Sequence, residues 1–492
     1  MKKFAAVVAV VAVYAAMAEG RQSPGTSLRT IMQETGLRAI DRGLRAQDPV
    51  RRARVAEDAA LVPRASTANK AYIPGSILVK FKGDADPFDV VTIPAGADAE
   101  AMAAAMRSRP DVEFAQPRYR NYAMTRPNDP LYSNQWNFPA IDMERAWDIQ
   151  PGASSDIIVA VLDTGMAYRT ITLAYDFPAF RMNGRSYPAL GRVAVPFAAA
   201  PELGESGSPR FVAPRDFIWN DDVPVDLDGH GTHVAGTIGQ ITNNGTGVAG
   251  MAYNVRLMPV KVITSVWDDI LESPFEGTDD VLANGIRYAA DNGAKVINLS
   301  LGRTAGGPAP LIGDALRYAV SRGCFVAVAS GNTRDEGNQP NRIAQLAPTI
   351  DGVVSVGGVG RSLNLAYYST TGSFLELTAP GGDQRANGGP GGILQQTLDL
   401  DLIETYDGPP SLYGPPRADS FAYYFFQGTS MATPHVAAFA ALLMQQGITS
   451  PAAIEAAMKQ FATDKGPPGR DDLYGHGLIN PRATLRGLGL AR

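Results

Sequence analysis

Through most of its length the chain alternates short, nearly unbroken apolar runs with longer segments whose apolar positions recur every three or four residues. Residues 156–162, 294–299 and 324–329 are runs of Val, Ile, Leu, Ala and Phe with few polar interruptions, the pattern of parallel strands covered on both faces. Segments 233–240, 278–291, 312–321 and 430–446 carry helical spacing. This alternation predicts an α/β fold: a three-layer parallel sheet flanked by helices. Upstream the pattern differs. Residues 76–81 suit a strand, 97–106 are Ala-rich and helical, and 112–114 alternate as a second strand, which predicts a small α+β unit over 72–122. Pro127-Asn128-Asp129-Pro130 then punctuates the chain as a domain start would. Residues 19–71 read as an arginine-bearing arm with an amphipathic helix through Leu28, Ile31, Met32, Leu37, Ile40 and Leu44.

The first residues are an address. Lys2 and Lys3 precede an apolar run from Phe4 to Met17, and Ala16-Met17-Ala18 offers small residues for a signal peptidase, so cleavage is expected after Ala18. Such a run rises about 21 Å as a helix against roughly 30 Å of hydrocarbon, too short for an anchor. The expected organisation is a signal peptide (1–18), an arm (19–71), a small α+β domain (72–126) and the main domain (127–492), secreted and without membrane attachment once the signal is removed.

Composition narrows the classes. Of 492 residues, 45% are apolar and 19% charged, with 44 Lys+Arg against 49 Asp+Glu for a net charge of −5. No basic block appears, which argues against nucleic acid as a partner. Cys324 is the single cysteine, so an intrachain disulfide is excluded, as is a zinc ribbon. Residues 19–126 hold 17 basic and 13 acidic residues, whereas 127–492 hold 25 and 36; the opposite signs favour docking of the two parts.

In open parallel sheets ligands gather beyond the carboxyl ends of the strands, and the reactive residue types fall there. The three runs end in Asp163, in Ser300-Leu301-Gly302 and in Ser330-Gly331-Asn332. Two further segments, Asp228-Gly229-His230-Gly231-Thr232-His233 and Gly428-Thr429-Ser430-Met431-Ala432-Thr433-Pro434-His435, supply imidazole and hydroxyl groups. Taken in order, Asp163-Thr164-Gly165, His230-Gly231-Thr232-His233-Val234-Ala235-Gly236 and Gly428-Thr429-Ser430-Met431-Ala432-Thr433-Pro434 resemble the three active-site motifs of the subtilisin-like serine endopeptidases. Residues 72–122 are similar to the family's inhibitory propeptide, and Tyr474-Gly475-His476-Gly477 resembles its C-terminal signature.

The resemblance implies Ser430 as nucleophile, His230 as its base, Asp163 as the carboxylate that orients the imidazole, and Asn332 as an oxyanion donor. It implies that Ser300, Leu301 and Gly302 pair with an extended polypeptide substrate, and that Ala329, Ser330 and Gly331 complete the pocket for the residue before the scissile bond. The expected guest is large and apolar, in keeping with Tyr122 and Met124 near the propeptide junction. A self-processing zymogen inhibited by its own propeptide follows from the same likeness. Two other functions are weighed: an inactive peptide-binding member of the fold, which an intact catalytic set opposes, and an esterase with the same triad, which the peptide-pairing segment opposes.

Several features stand apart from the family pattern. His230 and His233 sit three apart as zinc ligands could, but no further ligand motif follows; His233, His435 and His476 are expected to be hydrogen-bonded structural histidines, and Cys324 a packed thiol. Residues 175–214 and 384–424 read as insertions able to cover the cleft or meet a partner, and Asp221, Asp222, Asp226 and Asp228 place acidic charge beside His230, favouring basic substrate residues nearby. Ala347-Pro348 reverses the usual order near the pocket floor. The chemistry requires no cofactor. Thr242-Asn243-Asn244-Gly245-Thr246-Gly247-Val248 resembles a structural Ca²⁺ loop without fixing its ligands.

Overall fold

A computed structural model describes residues 75–83, 88–93, 98–119 and 126–489, together with the backbone of 37–39 and 72–74. The signal peptide, most of the arm and the junction at 120–125 lie outside the described residues. The chain divides into two compact units, one of residues 57–124 and the other of residues 1–56 with 125–492.

Within the expected arm helix, Leu37–Ala39 instead form a strand, β1, of the larger unit. The smaller unit holds β2 (Tyr72–Phe81), β3 (Asp89–Thr92), helix α1 (Ala99–Arg107) and β4 (Val112–Tyr119), with β2 central in an antiparallel sheet. Asp98 caps α1 by accepting from the N–H groups of Glu100 and Ala101. The buried faces of Ile77, Val79, Ala99, Ala103, Val112 and Ala115 form its core. The expected second strand thus runs longer than its apolar alternation, and β3, a four-residue strand with little burial, is an element the sequence reading missed although Val90, Val91 and Thr92 are β-branched.

The larger unit is built on β5 (Ile158–Asp163). After it come a hairpin of β6 (Ile171–Phe177) and β9 (Gly191–Phe197), with β7 (Phe180–Met182) and β8 (Arg185–Tyr187) at its tip, and then β10 (Arg215–Asp216). Helix α2 spans His230–Gly239, β11 Arg256–Lys261, α3 Asp279–Asp291, β12 Val296–Leu299, α4 Pro310–Ser321 and β13 Phe325–Ala329. The chain continues through β14 (Val353–Val359), β15 (Leu377–Pro380), β16 (Ile393–Leu398), β17 (Phe421–Phe426) and α5 (Thr429–Gln445). Seven strands form an all-parallel sheet in the order β10-β11-β5-β12-β13-β14-β15.

Both faces of this sheet are covered, which is why its strands read as continuous apolar runs. Along β5, Val159 and Val161 enter one core with residues of α2 and α5, while Ile158, Ala160 and Leu162 enter the other with residues of α3 and α4. The three layers follow. Because β5 lies between β11 and β12, chain connections leave it in opposite directions, and its carboxyl end is a topological switch point.

The two insertions are strands and not loose covers. β16 and β17 pair antiparallel, and β1 adds in parallel with Leu37 opposite Tyr423; an edge strand's unpaired backbone groups override the helical spacing of the arm there. The insertions also meet: Tyr187 OH donates to Gly408 O at 3.0 Å, and Phe180 and Tyr187 pack on Tyr413. No helix among the described residues is long and apolar enough to cross a membrane.

Candidate active site

Asp163 is the last residue of β5, fully buried at the switch point. Its Oδ1 accepts from Thr164 N–H at 2.8 Å and from His230 Nδ1 at 2.6 Å. An ionised carboxylate only accepts, so the imidazole carries its proton on Nδ1 and leaves Nε2 as the basic nitrogen. His230 opens α2, the turn before it made by Gly229 at φ +95°.

The glycines of the first two motifs have a steric reason. A Cβ on Gly231 would fall on Gly165 O, and one on Gly165 (φ +119°) on Val225 O, both inside contact distance. Backbone therefore packs directly on backbone between the aspartate and histidine segments. The threonines bond them. Thr164 Oγ1 accepts from Gly231 N–H at 3.0 Å, and Thr232 Oγ1 accepts from Ala167 N–H at 3.0 Å.

Both threonines are held by Asp226, which the sequence places among the expected substrate-facing acids. It is 1% exposed. Oδ1 accepts from Thr164 Oγ1 at 3.0 Å and from Asp228 and Gly229 N–H at 2.9 Å each; Oδ2 accepts from Thr232 N–H at 3.0 Å and Thr232 Oγ1 at 2.6 Å. The carboxylate thus pins both motifs together and serves as an N-terminal cap and counter-charge for α2. Asp221 and Asp222 are exposed and Asp228 is half-buried, so Asp226 alone leaves the expected acidic set. Its signal is its place four residues before the histidine, where first-turn N–H groups need an acceptor.

Ser430 sits in the first turn of α5, after Gly428, whose φ of +151° an L side chain rarely adopts. The Ser430 hydroxyl donates to Ser300 O at 3.1 Å, and the Ser300 hydroxyl donates to Ser430 O at 2.7 Å. These two bonds fasten the Ser430 segment to the strip 300–302. Tyr368 OH, completely buried, accepts from Gly428 N–H at 3.0 Å and donates to Gly382 O at 2.7 Å. The exposed Asn332 accepts at Oδ1 from Thr429 N–H and Thr429 Oγ1, both at 2.9 Å. With its oxygen committed, its amide N–H₂ is the end left to donate beside Ser430.

Ser330 and Gly331 border this group: Gly331 N–H donates to Thr429 Oγ1 at 3.2 Å, and Ser330 Oγ donates to Thr370 O at 3.0 Å. Asn341 Nδ2 donates to Ala329 O at 2.7 Å and to Leu301 O at 3.1 Å, spanning both segments. A cavity of about 310 Å³ runs from Thr164, Asp228 and His230 along Ser300, Leu301 and Gly302 to Arg303 and Asp279.

His233 and His435 are committed elsewhere. His233 Nε2 lies 3.1 Å from both Ile393 O and Tyr424 O, its ring stacked on Phe426 at 4.2 Å. Thr397 Oγ1 donates to Gly229 O at 2.5 Å, so the β16–β17 insertion, expected as a possible cover, braces the back of α2. Asn137 Nδ2 donates to His435 Nε2 at 2.8 Å and His435 Nδ1 donates to Met431 O at 2.9 Å, and burial pushes His435 down to about 4. Cys324 is buried, bonded to Ala294 O, and burial raises its thiol to about 11.

The loop 242–248 is tied by its own backbone to Asn128, Asp129 and Glu202. Asn243 and Asn244 N–H donate to Asp129, Gly245 N–H to Asn128, Thr246 N–H to Asn244 and Val248 N–H to Glu202. Each of these oxygens keeps a further lone pair, and no group of three or more His, Cys, Asp or Glu is clustered for a metal among the described residues.

The subtilase family's sequence model matches residues 154–477. The chain belongs to the subtilases. This subtilase is 30% identical over 403 residues to the thermophilic serine proteinase of Bacillus sp. strain AK1, covering 77% of this chain and 79% of that one. It is 33% identical over 337 residues to thermitase of Thermoactinomyces vulgaris, covering 68% and 91%. Among solved structures, a protease from Pseudoalteromonas arctica PAMC 21717 superposes with a TM-score of 0.55 at 28% identity, covering 73% of this chain and 99% of that one. The subtilase is accordingly a hydrolase, a serine-type endopeptidase with the subtilisin-like three-layer fold.

Proposed function

We propose that this subtilase is a secreted, self-processing zymogen in which Ser430 attacks the scissile carbonyl, His230 takes and returns the proton, and Asp163 orients the imidazole and stabilises its charged form. Asn332 donates to the oxyanion, with the first-turn N–H groups of α5 beside it. The observation that carries this reading is the bond from His230 Nδ1 to Asp163 Oδ1, because it fixes the one tautomer whose Nε2 serves as a base. The polypeptide substrate lies on Ser300, Leu301 and Gly302, and its residue before the scissile bond enters the pocket bordered by Ala329, Ser330 and Gly331. Residues 1–18 direct export, 19–71 form the arm, 72–126 assist folding and block the cleft until cleaved, and 127–492 are the enzyme. Secretion is supported by the apolar leader and by a relative named extracellular protease, from Xanthomonas campestris, 30% identical over 413 residues.

In the state described, Ser430 Oγ bonds Ser300 O; productive attack requires its proton to pass to His230 Nε2. Changing Ser430 to Ala tests the proposal. Full-length proprotein should accumulate, and an organophosphonate should label Ser430 of the mature wild-type enzyme. Unchanged maturation of the variant, or labelling elsewhere, overturns it.

A further inference from the structure

The far end of the cavity is a built wall. Arg303 Nε and Nη2 donate to Asp279 Oδ1 and Oδ2 at 2.9 and 2.8 Å, while Nη1 donates to Ala305 O at 2.8 Å and Gly307 O at 3.0 Å. Nη2 also faces Pro308 O at 3.4 Å. Every guanidinium nitrogen is engaged, so Arg303 is a fixed brace with little left to offer a ligand. Gly306 (φ +79°) lets the loop close on it, since a Cβ there would lie 3.1 Å from Nη1. Each Asp279 oxygen accepts one bond from Arg303 and retains a second lone pair. The wall therefore accepts hydrogen bonds and does not donate them. Between it and the imidazole the lining sets the apolar side chains of Val262, Ile263, Leu282, Leu301 and Ile343 among Thr164, Thr278 and Ser300. Asp228 at the near end adds a second carboxylate, so one guanidinium faces two acids across the cavity.

We infer that the Arg303–Asp279 pair is a specificity determinant: it makes this cavity take a substrate side chain with an apolar stem and a cationic, hydrogen-bond-donating tip, lysine or arginine, and reject acidic ones. The inference rests on the endopeptidase reading above. An extended peptide advances about 3.3 Å per residue and shows alternate side chains to one wall. If the residue before the scissile bond lies at Ser300, the strip 300–303 carries the fourth residue before that bond to the pair. The second and fourth residues then share the cavity wall.

The test uses the mature enzyme and fluorogenic peptides that differ only at the fourth residue before the scissile bond: Lys, Leu, Phe or Glu. Active enzyme is counted by organophosphonate titration and folding is checked by circular dichroism. We expect kcat/KM for Lys to exceed that for Glu by about tenfold, given the part-exposed pair, and the ratio to shrink with added salt. Asp279→Asn should bring the ratio toward one. Arg303→Leu should raise it, because Asp279 loses its internal partner. Glu accepted as well as Lys by the wild type, or an unchanged ratio in Asp279→Asn, overturns the inference; if a variant fails to fold, the wild-type ratio and its salt response decide. Hydrolysis that survives Ser430→Ala, or none of any peptide, overturns the endopeptidase reading instead, whereas Ser430-dependent hydrolysis indifferent to charge overturns only the role of the pair.

Discussion

Asp226 touches neither substrate nor solvent, yet its removal should disable the enzyme. In Asp226→Asn one oxygen of a five-donor acceptor becomes a donor. If the new amide replaces Oδ2, it confronts Thr232 N–H, now 3.0 Å from the carboxylate; if it replaces Oδ1, it confronts Asp228 and Gly229 N–H. Losing a hydrogen bond to a charged group costs about 1.5–3 kcal/mol, and an orphaned buried N–H about 1–3 kcal/mol more, so stability should fall by roughly 3–5 kcal/mol. The larger consequence is geometric. Thr164 and Thr232 are released, and with them the alignment of His230 on Asp163; a misplacement of about 1 Å costs on the order of 10²-fold in rate. The assay is steady-state hydrolysis of a chromogenic peptide, per titrated active site, across pH. We expect kcat down about 10²-fold with KM changed little. The acid limb of kcat should move to lower pH, because a loosened Asp163 stabilises the imidazolium less. A folded variant with wild-type kcat and an unmoved acid limb would refute the reasoning.

Other predictions are more direct. Asn332→Ala should lower kcat roughly 10²- to 10³-fold at similar KM, read from the same assay; a change confined to KM would remove Asn332 from the oxyanion site. Burial holds the folded-state His435 near 4, below its ordinary 6.5, so its contribution is complete above pH 6.5 and lost as pH falls toward 4, on the order of 3 kcal/mol. Denaturant midpoints of a Ser430→Ala host, which avoids self-digestion, should show this slope, and His435→Gln should flatten it.

Much of the sheet is legible in the sequence because burial on both faces leaves an unmistakable record: β5, β12 and β13 lie within a residue or two of their apolar runs. Helix starts are less so. α2 begins at His230, three residues ahead of the expected boundary, because its first turn is polar and glycine-bearing and is held by Asp226, not by an apolar face. The insertions hide their strands for a related reason. β6 alternates half-buried and exposed residues, and the pairing of β16 with β17 closes across 22 intervening residues, a link no local pattern carries. The catalytic candidates are readable as motifs. What joins them is not, since Asp226, Tyr368 and the Ser300–Ser430 exchange act through contacts distant in sequence.

An endopeptidase works in a solution of its own copies, and what it digests first is slack backbone at exposed tips. Here the longest excursions from the sheet are woven into ribbons and buttoned together where Phe180 and Tyr187 meet Tyr413. Segments that would otherwise feed a neighbouring molecule's cleft are thereby held out of the loose, extended form that cleft requires, so this stitching should slow the enzyme's self-digestion.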